Sequence, residues 1–172
     1  MADSKHNLCW GRYDHKIDEK GRLLLPYDFR DVLGDRLVLV AGPNKEIRVY
    51  SDAAFALFEK ELAGQCLLDE YDEDFLYLQR IFGNCERLSH DTSYRISLPD
   101  RLRNHAGLMT DLSAVMIGCG NRVEIWSSPL LSLQDSHLDL ERIKNVAKSR
   151  RGLLGGLSAN AAATISSDAI VA

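Results

Sequence analysis

The sequence contains one pattern twice, at residues 15–33 (HKIDEKGRLLLPYDFRDVL) and 88–106 (LSHDTSYRISLPDRLRNHA). Each copy has an aspartate and an arginine four positions apart, then an apolar run, a proline and a short helical pattern. Several residues coincide at an offset of 73, among them Asp18 with Asp91, Arg22 with Arg95 and Pro26 with Pro99. At an offset of 76, Gly42 falls on Gly118, Tyr50 on Trp126 and Ser51 on Ser127. An internal duplication constrains the fold more than any local propensity, because both copies are expected to form the same unit.

Each copy predicts a short strand, a tight turn, a second strand, a helix opened by proline and then a β-hairpin. In the first copy the strands are expected at about 12–17 and 22–25, and Pro26 suits the first turn of a helix. The runs RLVLVAG and EIRVY predict the hairpin. Halves of about 60 residues are marginal alone, so we expect the two halves of this 172-residue chain to share one core. The fold class is therefore α+β and rich in strands, with duplicated halves and peripheral helices.

The predicted organisation has five parts. A first repeat spans 8–51, an acidic helical connection 52–84 and a second repeat 85–128. A helical extension follows at 129–151, and residues 152–172 are expected to form a disordered tail because they lack amphipathic spacing. In the connection, we expect helices at 52–63 and 70–82, the first capped by Ser51 or Asp52 and ended by Gly64.

Charge is unevenly distributed along the chain. The formal net charge is −4, but residues 52–74 hold eight acids and one lysine, so the other 20 basic and 17 acidic side chains leave the rest at +3. We expect the acids to form a solvated helix face. The net positive charge of the rest of the chain is compatible with binding to a polyanion, since the phosphate backbone of nucleic acid attracts local cations.

Membrane, secretory and disulfide-stabilised classes are not expected. No apolar run approaches the roughly 18–20 residues that span a bilayer, and the first residues lack a secretory signal pattern. Cys9, Cys66, Cys85 and Cys119 lack C-x-x-C spacing, so we expect reduced, partly buried thiols. The sequence predicts no metal and no cofactor.

The repeated turn has two interpretations, which the residues alone leave open. Asp18 and Asp91 can organise their turns by accepting backbone N–H bonds, with Arg22 and Arg95 as structural partners. Alternatively, the basic side chains of the turn can meet an anion, since a guanidinium can bind phosphate oxygens or the O6/N7 edge of guanine.

Three motifs together carry a resemblance to a known family. HKIDEKGRLLLP-x-x-FR, the second D-x-x-x-R with I-S-L-P-x-x-L-R, and GNRVEIW at 120–126 resemble the MraZ family of bacterial transcriptional regulators, which are built from two SpoVT-AbrB-type repeats. The resemblance covers about residues 8–128. It implies interlaced, swapped-hairpin-like halves with a pseudo-twofold axis and a ring-like homo-oligomer. It also implies a cytoplasmic, nucleoid-associated protein that binds double-stranded DNA at repeated elements upstream of the division and cell-wall gene cluster, commonly repressing it.

The resemblance assigns functional residues unequally to the two turns. The first motif supplies Asp18, Lys20, Gly21 and Arg22, whereas the second supplies only Asp91 and Arg95. Tyr94 stands where the family usually has glycine, so we expect the second turn to be less free to adopt a glycine-like conformation and to be mainly structural. The DNA-binding candidates are Arg12, Lys16, Lys20, Arg22 and Arg95, and the turn-organising candidates are Asp18, Gly21 and Asp91. Arg150 and Arg151 lie outside the resemblance and fit either a solvated helix end or a further DNA contact.

Two other functions compete with DNA binding as interpretations of the sequence. A protein-interaction or antitoxin-like module of the same fold is the main alternative, and the acidic segment would suit a basic partner. An enzyme is disfavoured, because nothing brings His15, His90 and the cysteines together and no catalytic motif occurs. GNRVEIW itself alternates as a half-buried strand does, so it predicts a core hairpin in which Trp126 packs.

Overall fold

The structure is a computed structural model that describes residues 8–65, 73–109 and 113–136. The chain divides into a unit from Met1 to Leu131 and a unit from Ser132 to Ala172. The described part of the second unit is the C-terminal part of one helix, in which the Ser136 hydroxyl donates to the carbonyl of Leu133 over 2.7 Å. The first unit holds both repeats.

The described residues form eight strands and five helices, which follow the predicted order closely. The strands are β1 (Arg12–Lys16), β2 (Arg22–Leu24), β3 (Arg36–Ala41), β4 (Ile47–Ser51), β5 (Cys85–Ser89), β6 (Arg95–Ser97), β7 (Ser113–Gly118) and β8 (Arg122–Ser127). The helices are α1 (Tyr27–Leu33), α2 (Asp52–Gln65), α3 (Glu73–Gly83), α4 (Asp100–Ala106) and α5 (Ser128–Ser136). This confirms the strand-rich α+β fold class.

The sheets interlace the two repeats. A six-stranded antiparallel sheet has the order β1-β7-β8-β4-β3-β5, and β2 pairs with β6 in a separate two-stranded ribbon. The first strand of each repeat therefore pairs with the hairpin of the other repeat, β1 with β7 and β5 with β3. Replacing each strand by its equivalent in the other repeat, so that β1 exchanges with β5, β3 with β7 and β4 with β8, gives the same strand order read from the opposite edge. The swapped arrangement and the pseudo-twofold axis are confirmed.

Two cross-strand pairs lie on the pseudo-twofold axis. Leu23 pairs with Ile96 at the centre of the ribbon, and these residues are equivalent at the offset of 73. Arg48 pairs with Glu124 at the centre of the larger sheet, and these are equivalent at the offset of 76. Both pairs join a residue to its own counterpart, as a twofold axis requires.

The main core fills the space between the six-stranded sheet and a layer formed by the ribbon, α1 and α4. Leu23 and Ile96 contribute from the ribbon, Phe29 from α1 and Leu102 from α4, and all four are fully buried. The sheet contributes alternating residues such as Val49, as strand periodicity requires. The ribbon is therefore fixed to the core by its inner side chains, which leaves the other side chains of each strand outside.

The opposite face of the sheet carries two smaller clusters. Val38, Val40 and Tyr50 pack with Phe55 and Leu62 of α2 and Ile81 of α3, while Val115 and Trp126 pack with Leu131 at the start of α5. Trp126 is only 5% exposed, which confirms that GNRVEIW is a core hairpin and that its tryptophan packs.

Two expectations about local structure are wrong. Gly118 corresponds to Ala41, not to Gly42, because Ala41 pairs with Ile47 where Gly118 pairs with Val123. The loop of the second hairpin is one residue shorter, so the glycines align in sequence but not in space. Gly64 does not end α2, which continues to Gln65. Ser51 does cap this helix, since its hydroxyl accepts from the backbone N–H of Ala54 over 3.2 Å.

Several predictions fall outside the described residues. They include the continuation of the helical extension over 137–151 with Arg150 and Arg151, the tail at 152–172, Cys66, and Asp69, Glu70 and Asp72 of the acidic segment. Among the helices that are described, none combines the length and apolar character needed to cross a membrane.

Candidate nucleic-acid interface

The first turn, residues 18–21, is organised by Asp18. Its Oδ1 accepts the backbone N–H groups of Lys20 and Arg22, each over 2.9 Å, and its Oδ2 accepts from the Arg22 Nε over 2.8 Å. The backbone of Gly21 closes the turn by donating to the Asp18 carbonyl over 2.9 Å, with φ of 72°. A carboxylate that binds two N–H groups in this way fixes the direction in which the turn points.

The second turn, residues 91–94, has the same geometry. Asp91 Oδ1 accepts from the backbone N–H groups of Ser93 and Arg95 over 2.9 Å each, and Tyr94 closes the turn on the Asp91 carbonyl over 2.9 Å. Tyr94 has φ of 58°, close to the value at Gly21. The second turn therefore adopts the glycine-like conformation in spite of Tyr94, because the Asp91 hydrogen bonds and the packing of the ring hold it there.

The two turns meet across the pseudo-twofold axis. The Arg22 guanidinium lies 3.6 Å from Asp91 Oδ2 and the Arg95 guanidinium lies 3.8 Å from Asp18 Oδ2, so each arginine reaches the aspartate of the other repeat. These side chains are between 29% and 44% exposed, so the network lies at the surface. The structure thus brings four of the residues selected from the sequence into one cluster.

We call the two turns together with the outer side of the β2–β6 ribbon the paired-turn surface. Leu23 and Ile96 point into the core, so the alternate ribbon residues Arg22, Leu24, Arg95 and Ser97 lie on the outer side. A two-stranded ribbon of this kind has a width that the major groove of duplex DNA admits.

The remaining basic candidates are placed unequally. Lys20 is exposed at the tip of the first turn, whereas its equivalent in the second turn is the uncharged Ser93. Lys16 is exposed at the end of β1 that leads into the first turn, while Arg12 lies at the other end of the strand, about 13 Å away. Arg12 is therefore not brought to the paired-turn surface by its own strand.

Each turn is supported by an arginine from the helix of the other repeat. Arg103 of α4 lies behind Gly21, where an added Cβ would come within 2.9 Å of its guanidinium carbon. Arg30 of α1 places its guanidinium 4.1 Å from the centre of the Tyr94 ring. Arg30 and Arg103 coincide at the offset of 73, but neither was selected from the sequence as a site residue, because the duplication shows that they are equivalent and not what they contact.

The hydrogen bonds of the turns change the acidity of their aspartates. The backbone N–H and guanidinium of Arg22, together with the Lys20 N–H, lower the pKa of Asp18 below its ordinary value. The backbone N–H groups of Arg95 and Ser93 and the charge of Arg22 lower the pKa of Asp91 in the same way. Both carboxylates are therefore ionised under physiological conditions, and their charge holds the arginines in place.

The side chains considered for acid–base or thiol chemistry are held in other surroundings. His15 lies on β1 opposite Ala114, and burial lowers its pKa, while His90 follows β5 and lies 3.4 Å from Asp35. Cys9, Cys85 and Cys119 are free thiols, and burial raises the pKa of each to about 11. Cys9 is fully buried, at 1% exposed, whereas Cys85 and Cys119 are half-buried.

Comparison with known proteins identifies the family. The profile of the family described as "MraZ protein, putative antitoxin-like" matches residues 8–76 and 81–142. The chain belongs to the MraZ family. The two matched segments each contain one repeat, in agreement with the duplicated fold.

Individual MraZ proteins match over most of the chain. The protein named transcriptional regulator MraZ from Alkaliphilus metalliredigens is 35% identical over 137 residues, which are 78% of this chain and 93% of the relative. The protein of the same name from Halothermothrix orenii is 34% identical over 70% of this chain and 82% of its own length. The one from Desulfitobacterium hafniense is 36% identical over 72% of this chain and 83% of its own length. All three names describe transcriptional regulators.

Proposed function

We propose that this protein is a sequence-specific DNA-binding transcriptional regulator without a catalytic step. It binds repeated elements upstream of the division and cell-wall gene cluster and represses that cluster, acting in the cytoplasm in association with the nucleoid. The observation that carries this proposal is the paired-turn surface, where two equivalent turns and a two-stranded ribbon meet on one axis. The names of the MraZ relatives support the regulatory role.

The ribbon supplies a shape that suits direct contact with duplex DNA. Because β2 and β6 are antiparallel and related by the pseudo-twofold axis, the two turns lie at equivalent positions on either side of it. Base pairs in the major groove present acceptors that arginine can read, and phosphates on either side accept from lysine. Lys20 is the exposed cation for the backbone, and Arg22 and Arg95 are the candidates nearest the axis.

One subunit alone would bind weakly. Residues 18–22 and 91–95 together carry three basic and three acidic side chains, so the turns have no net positive charge of their own. Self-association into a ring-like homo-oligomer would place several paired-turn surfaces along one DNA and convert weak contacts into an avid complex. With three or four subunits engaged, about six to eight phosphate contacts form, and affinity should fall about a thousandfold between low and physiological salt.

Lys20→Ala is the sharpest test of this proposal. Lys20 is exposed and its side chain takes no part in the hydrogen bonds of the turn, so its removal should leave the fold intact and weaken binding to the DNA upstream of its own gene at least tenfold. Lys60→Ala, an exposed lysine on α2, is the matched control and should bind as the wild type does. Equal affinity of both variants in a gel shift would reject the assignment of the first turn.

Arg22→Ala should abolish binding, but it also removes the pairs to Asp18 and Asp91. Its thermal unfolding must therefore be measured beside its DNA affinity. A variant that unfolds as the wild type does and still binds DNA equally well would remove Arg22 from the interface.

A second candidate function is an antitoxin-like protein-interaction module, which the family description supports. In that case the acidic segment would bind a basic protein. Purification from cells would yield a stoichiometric protein partner, which would be lost when Asp72, Glu73 and Asp74 are neutralised together.

A further inference from the structure

Arg30 and Arg103 occupy equivalent positions and share one structural contact. The Nε of Arg30 donates to the carbonyl of Leu25 over 3.0 Å, and the Nε of Arg103 donates to the carbonyl of Leu98 over 3.2 Å. In both repeats this carbonyl precedes the proline at the start of the helix. The shared bond therefore uses one edge of each guanidinium and leaves its other nitrogens for different partners.

Those other partners differ between the repeats. Arg103 forms an ion pair with Asp100 in its own helix and lies against Gly21. The first repeat has Tyr27 at the position equivalent to Asp100. The second turn has Tyr94 at the position equivalent to Gly21. Within the described residues no carboxylate lies in ion-pair distance of Arg30, so its positive charge is not neutralised as that of Arg103 is.

Two tyrosine rings hold the Arg30 guanidinium instead. Its central carbon lies 4.1 Å from the centre of the Tyr94 ring and 5.8 Å from that of Tyr27. The Tyr27 side chain is 74% exposed and that of Tyr94 40%, so this arrangement lies at the surface. Stacking on a ring orients a guanidinium through its faces, while its N–H groups point outward in its plane and can bind an anion bidentately.

The arrangement belongs to the paired-turn surface. The carbonyl of Tyr94 accepts from the Leu25 N–H over 2.8 Å, which extends the pairing of β2 with β6 up to the second turn. This is the turn that has Ser93 in place of a lysine. Arg30 thus supplies a cation at the turn whose own sequence lacks one.

We infer that Arg30, oriented by Tyr27 and Tyr94, is a DNA-phosphate contact of the second turn and the counterpart in function of Lys20 at the first. This inference rests on the proposed function. It makes both turns of each subunit contact the DNA backbone, with a lysine on one side of the axis and a stacked arginine on the other.

Tyr27→Asp tests the inference by copying the arrangement around Arg103. The new carboxylate would pair with Arg30 as Asp100 pairs with Arg103, without disturbing the bond to Leu25. We expect about a tenfold or greater loss of affinity for the upstream DNA, and a shallower dependence of affinity on salt because each lost phosphate contact reduces the slope by about 0.9. Tyr27→Asn removes the same ring without adding a charge, so it should lose less affinity than Tyr27→Asp and keep the salt dependence of the wild type.

Two further variants separate a local effect from a general one. In an Arg30→Gln background, Tyr27→Asp should have little additional effect, because the cation that it neutralises is already absent. Tyr94→Gly removes the stacked ring from a position whose φ suits glycine, so it should fold and yet bind DNA more weakly.

The outcomes distinguish this inference from the proposed function. If Tyr27→Asp and Tyr27→Asn bind with the same affinity and salt dependence while Lys20→Ala binds weakly, Arg30 is not a contact and the proposed function stands. If the wild-type protein shows no salt-dependent binding to the upstream duplex, both are rejected.

Discussion

Gly21 and Tyr94 occupy equivalent positions in two turns of the same geometry, and both have a left-handed backbone, with φ of 72° and 58°. Only glycine adopts this conformation without strain, which for other residues is of order 1–3 kcal/mol. At Tyr94 the cost is offset by the Asp91 hydrogen bonds and by ring contacts with Arg30 and with His90, whose ring centre lies 4.8 Å away. At Gly21 the corresponding space is filled by Arg103.

Gly21→Ala should therefore destabilise the protein by about 2 kcal/mol, from backbone strain and from displacement of the Arg103 guanidinium. Gly107 is the matched control, since it is left-handed with φ of 62° and ψ of 29° and an added Cβ would meet its nearest atom only at 3.8 Å, an ordinary contact. Gly107→Ala should show the strain alone and a smaller loss. Chemical denaturation of the two variants measures the difference, and equal losses would mean that Arg103 does not support the turn.

Acidification should loosen the paired turns. The pKa of Asp18 and that of Asp91 are both lowered by folding, so their contribution to stability is present above the unfolded value of about 3.8 and is lost as the pH falls through the folded value. The double variant Asp18→Asn, Asp91→Asn should be less stable near neutral pH and lose less stability on acidification than the wild type. Urea unfolding across a pH series measures the free energy of unfolding of each protein, with Asp31→Asn as an exposed control. If the double variant and the wild type lose stability equally on acidification, the prediction is wrong.

Arg48→Met should destabilise the fold by about 3 kcal/mol, because it leaves the carboxylate of Glu46 buried without a cation. Glu46 is 1% exposed, and its partners are the Arg48 guanidinium at 2.8 Å and the backbone N–H of Asn44 at 2.8 Å. Adding Glu46→Gln to this variant should restore part of the stability. Arg122→Met removes a cation from the less buried Glu124, which still lies 4.0 Å from Arg48, and should cost less, which calorimetry can compare.

Cys9, Cys85 and Cys119 should react slowly with alkylating reagents in the native protein. With a pKa of about 11, Cys9, Cys85 and Cys119 have about one thiolate per thousand thiols at pH 8, and the thiolate is the nucleophile. In a Cys66→Ser variant, labelling by iodoacetamide should be slow in buffer and fast in denaturant. Rapid labelling of the native variant would show that a thiol is accessible and ionised.

Much of the fold could be predicted from the duplication, because both copies carry the same order of strand, turn, strand and helix signals. Which residues of β3 and β7 are equivalent could not, since the glycines at 42 and 118 invite an alignment that the unequal hairpin loops do not support. The end of α2 was predicted too early because a single glycine is only a weak barrier when the helix packs through residues such as Phe55 and Leu62.

The candidate site was predicted in part. Asp18, Arg22, Asp91 and Arg95 could be selected because each turn is contiguous in sequence. The contacts of Arg30 with Tyr94 and of Arg103 with Gly21 join residues more than 60 positions apart, and no local pattern reports them. The substitution of Tyr94 for glycine was the visible signal, and its meaning depended on which helix lies against it.

The exchange of β1 and β5 between the repeats has a consequence for how the protein could be divided. Cutting the chain in the acidic segment would give two fragments, each lacking the strand that completes its own hairpin and each carrying the strand that the other needs. Neither fragment could close its sheet alone. Two copies of one fragment could complete a six-stranded sheet together by exchanging their first strands. The chain therefore has the form of a homodimer whose two subunits are joined end to end.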